Sequence, residues 1–207
     1  MSATVLYMSM SLDGFIAGPN ERPDNPLGDE GLRLHAWFPP GIEGGSGRSR
    51  QPREGVNRQI FGDMLATGAV VAGAGTFEPA GGWSGDHHDG VPIFIYSRHA
   101  PGIDISGWPL VTYVDDVETA VTRAKEAAGE QDVLVHGANV TQLALAAGVL
   151  DELELHVVPV LLGQGRRLFD HLGPQHIELE RIRTLEGEHG VVHVRYRVRH
   201  PQGREGR

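Results

Sequence analysis

Four short runs put chemistry-bearing residues where the chain turns. Gly73-Ala74-Gly75-Thr76-Phe77 follows an apolar run. Glycines there let backbone N–H groups approach a phosphate, and a helix starting in the turn adds a favourable dipole. The run opens like a dinucleotide fingerprint, but Glu78 stands where a third glycine is needed, and no acid lies near Tyr96 for a ribose hydroxyl. The Rossmann reading is therefore weak. His136-Gly137-Ala138-Asn139 repeats the device between another strand and helix. Ser97-Arg98-His99 offers a hydroxyl and a guanidinium suited to a phosphate on a ribose. Ser11-Leu12-Asp13-Gly14 ends the first apolar run with a carboxylate able to orient a substrate amide or amine. Taken singly, each run also reads as a plain turn. Two glycine turns at the carboxyl ends of strands in one sheet imply one ligand spanning both.

The eleven histidines raise the question of a metal. His87-His88 is adjacent and loop-borne, so both rings rarely reach one ion, and His156 alternates with apolar neighbours as a strand-face residue. No H-E-x-x-H or facial-triad spacing occurs, so no metal site is expected. A G-x-S-x-G elbow and a P-loop are also absent.

The elements that must position these turns follow from periodicity. Thr4 to Met10 reads as a first strand. Residues 18 to 55, rich in Gly, Pro, Arg and Asp, form a long mobile surface excursion that is either a lid or a tolerated insertion. Val56, Ile60 and Met64 recur at helical spacing. Short strands are expected at Ala69 to Ala72, Pro92 to Tyr96, Leu110 to Val114 and Asp132 to Val135. Asp115 or Asp116 caps a helix carrying Val117, Ala120, Val121, Ala124 and Ala128, ended by Gly129. Val140 to Ala147 is a second helix, stopped by Gly148. Leu153 to Leu162 reads as one long strand, and Ile177 to Leu185 with Val191 to Val198 as an antiparallel hairpin. The pattern predicts an α/β fold: a mixed, mostly parallel central sheet flanked by helices, with the hairpin at the C-terminus. Residues 1 to 199 form one domain, and 200 to 207 a frayed tail.

Composition narrows the function classes. Hydrophobic residues at 40% and charged residues at 22% are ordinary for a globular domain, which excludes a disordered or fibrous chain. A net charge of −9 argues against nucleic acid or an anionic membrane as partner. With no cysteine there is no disulfide framework, thiolate zinc site or cysteine nucleophile. No signal-like N-terminus and no run long enough to span a bilayer is visible, so a cytoplasmic protein is expected.

Together these residues resemble the dihydrofolate reductase-like superfamily, most of all the C-terminal reductase domain of the bacterial bifunctional riboflavin-biosynthesis deaminase-reductase and its free-standing relatives. The resemblance runs from residue 3 to about 199. It is carried by His136-Gly137-Ala138-Asn139, then Ala147-Gly148-Val149-Leu150-Asp151-Glu152-Leu153, then Pro159-Val160-Leu161-Leu162-Gly163-Gln164-Gly165, in that order, with Ser11-Leu12-Asp13-Gly14 at the first strand.

The resemblance implies an NADPH-dependent reductase that passes a hydride to a small heterocycle, pterin-like or ribosylaminopyrimidine-like, and a homodimer. A homodimer also suits the long apolar run from Leu153. By the same resemblance Asp13 is the catalytic carboxylate, with Gly14 and Ala17 beside it facing substrate and nicotinamide. Gly73, Gly75 and Thr76 hold the phosphates, Ser97 and Arg98 the adenosine end. His136, Gly137, Ala138 and Asn139 complete the pyrophosphate cradle. Ala74 stands where the family carries an arginine, His136 replaces the first of a glycine pair, and the 18–55 excursion lacks the family's arginine-rich signature. NADH as cofactor, a flavin or deazaflavin donor, and a non-catalytic nucleotide-binding module are the alternatives. The proton comes from Asp13 through water, or from water alone; a proton-donating Asp13 would need a raised pKa.

Overall fold

The computed structural model describes residues 2–22, 24–38, 55–174 and 176–199. Eight strands form one sheet in the order β5-β4-β3-β6-β1-β7-β10-β9. They are β1 (Thr4–Ser11), β3 (Ala69–Gly73), β4 (Ile93–Tyr96), β5 (Val111–Val114), β6 (Val133–His136), β7 (Glu152–Val158), β9 (Glu178–Glu186) and β10 (Val192–Arg199). The first six pair in parallel, as their helical and loop crossovers require. The strand β10 runs antiparallel to both β7 and β9. A separate two-stranded ribbon joins β2 (Phe15–Ala17) to β8 (Arg166–Arg167).

Both faces of the parallel part are covered, so β3, β4 and β6 are near-continuous apolar runs; β7 instead alternates, with Glu154 and His156 buried between apolar residues. On one face Val71, Val135 and Leu6 pack against α3 (Val117–Ala128) and α4 (Ala138–Ala146). On the other, Val70, Ala72 and Tyr7 pack against Phe77 of the single-turn helix α2 (Ala74–Phe77), with Trp83 and Trp108 around it. Asp116 caps α3 by accepting Thr119 N–H at 2.8 Å, and Gly129 ends that helix at φ 62°.

Two expectations need correction. The long strand from Leu153 stops at Val158, because Pro159 has no N–H for the ladder; Val160 then pairs with the turn after β1. That strand is also interior, between β1 and β10, so it is no edge on which a partner could pair. Among the described residues the edges of the sheet are β5 and β9. Within the 18–55 excursion, the described part is packed rather than loose. Leu34 and Trp37 are buried against Ile60 of α1 (Gly55–Leu65), Val158 and Val191. Residues 39–54 of the excursion and the tail 200–207 lie outside the described residues.

Candidate active site

The sheet reverses its winding between β3 and β6. The chain leaves β3 through α2 on one face and moves outward to β4; it leaves β6 through α4 on the other face and crosses to β7. A crevice opens between such strands at their carboxyl ends, and ligands of open α/β sheets bind there. Both glycine turns sit on its lip. Gly137 takes φ +104°, and a β-carbon added there would collide with Oγ1 of Thr76, so the turns after β3 and β6 are in contact. A β-carbon on Gly73 would meet nothing within 4 Å, so the crevice has room at its mouth. No side chain caps the start of α4 at Ala138 and Asn139.

Ser97 and Arg98 follow β4, the next strand outward from β3. Ser97 is committed locally, its Oγ bonded to the His99 carbonyl at 3.0 Å. Arg98 is exposed and makes no ion pair among the described residues. At about 4.8 Å per strand, the row from β1 to β4 spans about 14 Å, enough to seat an extended ligand across four strand ends.

The turn after β1 forms the opposite wall. Asp13 is central to it, but as an anchor. Its carboxylate accepts the Ser11 hydroxyl at 2.6 Å and the N–H groups of Leu162 and Gly163 at 3.1 and 2.7 Å. The Ser11 hydroxyl, then those backbone N–H groups, hold its pKa at about 2. A proton donor near neutrality would need the opposite shift. Gly14, at φ +90°, lets the turn close, and its carbonyl accepts Leu168 N–H. Ala17 is buried in the β2–β8 ribbon, where a β-carbon on Gly165 would strike its carbonyl.

Two arginines at this wall went unread in the sequence. Arg166 donates to the Gly75 carbonyl at 3.3 Å and pairs with Glu21 at 2.8 Å, spanning the crevice from the β2 side to the β3 turn. Arg167 donates to the Asp13 carbonyl at 3.0 Å and lies over the Phe15 ring. Arg166 brings a positive charge to the turn where Ala74 offers none.

The sequence agrees with this geometry. The sequence model of the RibD C-terminal domain family matches residues 3–192. The chain belongs to the RibD C-terminal domain family. This is a family of reductase domains, and the mixed sheet with its C-terminal hairpin is the RibD reductase fold. A putative riboflavin biosynthesis protein from Shewanella sp. PV-4 superposes with a TM-score of 0.71 at 20% identity, over 96% of this chain and 99% of that one. RibD of Acinetobacter baumannii gives 0.57 at 17% identity, over 97% of this chain and 59% of that one. An uncharacterized protein of Bacillus subtilis, YyaP, is 29% identical over 103 residues; the match spans 50% of this chain and about half, 53%, of that protein.

Between the crevice and the excursion, this RibD-family chain places a group of rings that no motif or spacing joins. His136, at the end of β6, turns away from the Thr76 side. Its Nδ1 lies 3.1 Å from the Tyr7 carbonyl, and its ring meets those of Trp83 and His87 at 6.2 and 6.3 Å. It thus crowds the cradle less than its position before Gly137 suggests. Burial lowers its pKa. On β7, His156 lies against Trp37 at 4.7 Å and bonds to His193 of β10. The excursion supplies His35 and Trp37, and Trp37 donates to the Ser9 hydroxyl at 3.0 Å. Among the described residues no three His, Asp or Glu side chains are arranged to hold a metal ion.

Proposed function

We propose that this RibD-family chain is an NADPH-dependent reductase acting on a small aminopyrimidine-like or pterin-like heterocycle. The observation that carries the reading is the contact between Gly137 and Thr76, which joins two glycine turns into one cradle at the switch point of the sheet. When bound, the cofactor supplies a hydride; the protein's share is position and electrostatics.

Gly73, Gly75 and Thr76 form one side of the pyrophosphate cradle, and Gly137, Ala138 and Asn139 the other. His136 closes the cradle toward β1, its ring turned to the heterocycle. Arg166 neutralises phosphate charge at the Gly75 turn. Arg98 and Ser97 meet the ribose phosphate that distinguishes NADPH from NADH. Asp13 holds the β1 turn against Leu162 and Gly163, so Gly14 and Ala17 present a rigid wall to the nicotinamide. The heterocycle lies on the side of Trp83, His87 and His136. The proton comes from water, since Asp13 is held ionised. We place the protein in the cytoplasm, as a homodimer.

Fluorescence titration with NADPH, NADH and flavin tests the cofactor. NADPH bound at least tenfold more tightly than NADH, with no flavin bound, is the expected result. Flavin binding without NADPH binding would overturn the reading.

A further inference from the structure

The rings beside the crevice carry fixed tautomers, and these can be read outward from the backbone. His88 Nε2 faces two oxygens of Thr67: the carbonyl at 3.1 Å and the hydroxyl at 3.2 Å. That hydroxyl already donates its proton to the Met64 carbonyl at 2.7 Å, so both oxygens can only accept from His88. The proton of a neutral His88 is thus on Nε2, and its Nδ1 is a bare lone pair. His87 Nδ1 lies 2.7 Å from it and must be the donor. The proton of His87 is therefore on Nδ1, and its Nε2 is left as an acceptor.

The same logic holds twice more. His136 Nδ1 sits 3.1 Å from the Tyr7 carbonyl, so it is the protonated nitrogen and Nε2 is bare. Asn57 donates its amide N–H to the Trp37 carbonyl at 3.0 Å, which orients its Oδ1 toward His193 Nε2 at 2.9 Å. His193 is then protonated on Nε2, and its Nδ1 accepts from His156 Nδ1 at 2.9 Å. His156 Nε2 is bare as well. Three independent chains, anchored on three different backbone carbonyls, each end in an imidazole lone pair. Two of the three rings, His87 and His136, stand 6.3 Å apart with Trp83 in edge contact with both.

We propose that His87 and His136 are specificity-determining acceptors that select a substrate by its N–H donors. The preferred ligand is a flat heterocycle bearing an amino group or ring N–H at its edge, seated against Trp83. Isosteres whose amino group is fully alkylated are rejected, because each unpaired lone pair then loses its water without gaining a donor. This rests on the reductase reading for the position of the crevice, but not for the chemistry of the rings.

The test uses the full chain, with and without NADPH. Long-range 1H–15N correlation spectra of the histidine rings should show His87, His136 and His156 protonated on Nδ1. Ligand-observed NMR should then show 2-aminopyrimidine binding about 5- to 30-fold more tightly than 2-(dimethylamino)pyrimidine, the range expected for one or two hydrogen bonds. His87→Phe and His136→Phe should abolish that preference, while His87→Gln and His136→Gln, which keep an acceptor, retain most of it. Equal binding of the two probes, Nε2–H tautomers for His87 and His136, or a zinc ion taken up by these rings in place of the heterocycle would each overturn the proposal. NADPH titration of the same samples keeps the two ideas apart. Failure to bind NADPH sinks the reductase reading, and probe selectivity in the cofactor-free protein still decides the role of the histidines.

Discussion

The carboxylate of Asp13 accepts the backbone N–H of Gly163 at 2.7 Å across 150 positions of sequence. The bond joins the Ser11-Leu12-Asp13-Gly14 turn to the Pro159–Gly165 run, the two motifs flanking β1 and β7. Leu12 N–H reinforces it by donating to the Val160 carbonyl at 2.9 Å. A motif that looks catalytic in sequence is thus half of a clasp. The clasp fixes the wall of the crevice nearest β1, and it explains why an acidic residue and a glycine-rich loop so far apart belong together.

Asp13→Asn therefore tests positioning against proton transfer. An amide in place of the carboxylate keeps one acceptor but cannot accept Ser11 O–H, Leu162 N–H and Gly163 N–H together. We expect a lower Tm and a loss of turnover below about 100-fold, equal at every pH between 5 and 9, because a group titrating at about 2 contributes no inflection there. A pH–rate profile that loses its acidic limb in the variant would restore Asp13 as an acid–base group.

Gly137→Ala should damage the cradle from within. The residue sits at φ +104°, where an L side chain is strained by about 1–2 kcal/mol, and the new methyl group would meet the Thr76 side chain. NADPH affinity should fall at least about tenfold, since 1.4 kcal/mol is a factor of ten. Thr76→Ala in the same chain should recover part of it by removing Oγ1. Isothermal titration decides; unchanged affinity in the single variant would separate this turn from the cofactor.

The two arginines should separate by cofactor. Arg98 is exposed beyond β4, so Arg98→Ala should weaken NADPH about 10- to 100-fold, the range for a charge-assisted hydrogen bond, and leave NADH unchanged. Arg166 sits at the Gly75 turn, so Arg166→Ala should weaken both cofactors alike. Equal losses at Arg98 would mean that it acts on structure.

Much of the fold was legible. The strands expected at 92–96, 110–114 and 132–135 lie within one residue of β4, β5 and β6. Buried parallel strands are short apolar runs and turn glycines are conformationally obligatory, so both leave local marks. Of the two candidate caps for α3, the structure selects Asp116, whose carboxylate reaches Thr119 N–H. The site was legible only where it depends on backbone. Arg166, Arg167 and Trp37 act through partners far away in the chain, and no spacing encodes such pairs. His156 and His193 read only as strand-face residues; their bond is fixed by the β7–β10 register, which pairs them directly.

Association should run through β9. It is an edge of the sheet among the described residues, and Leu179 and Ile182 on it are 43% and 41% exposed. Such edges are commonly paired or covered. Light scattering at micromolar concentration should give a dimer, and Ile182→Lys should shift it toward monomer. If Ile182→Lys leaves the dimer intact, attention moves to Leu12 and Leu161, which are 67% and 69% exposed on the clasp. A wild-type monomer removes the dimer altogether.

Acid should unfold the protein through the histidine pair. His193 is fully buried, and burial, opposed by the charge of Glu188, lowers its pKa to about 4. The pKa of His156 is pushed well below its usual range, first by burial and then by its neighbour His193. Both rings are neutral in the folded chain and titrate near 6.5 once unfolded. Below 6.5 the unfolded chain binds protons that the folded chain refuses. Stability is therefore complete above about 6.5 and is lost as pH falls toward 4. At 1.36 kcal/mol per pKa unit, His193 alone accounts for on the order of 3 kcal/mol across that window. When both rings are forced to charge, their Nδ1–Nδ1 bond, 2.9 Å, becomes two donors facing each other between β7 and β10, while the His193 Nε2–H bond to Asn57 persists. Denaturant titrations between pH 4 and 8 should show this slope, and His193→Gln should flatten it while lowering stability at pH 7. A slope that survives in His193→Gln would assign the acid sensitivity elsewhere, first to His35, whose pKa burial also lowers to about 4.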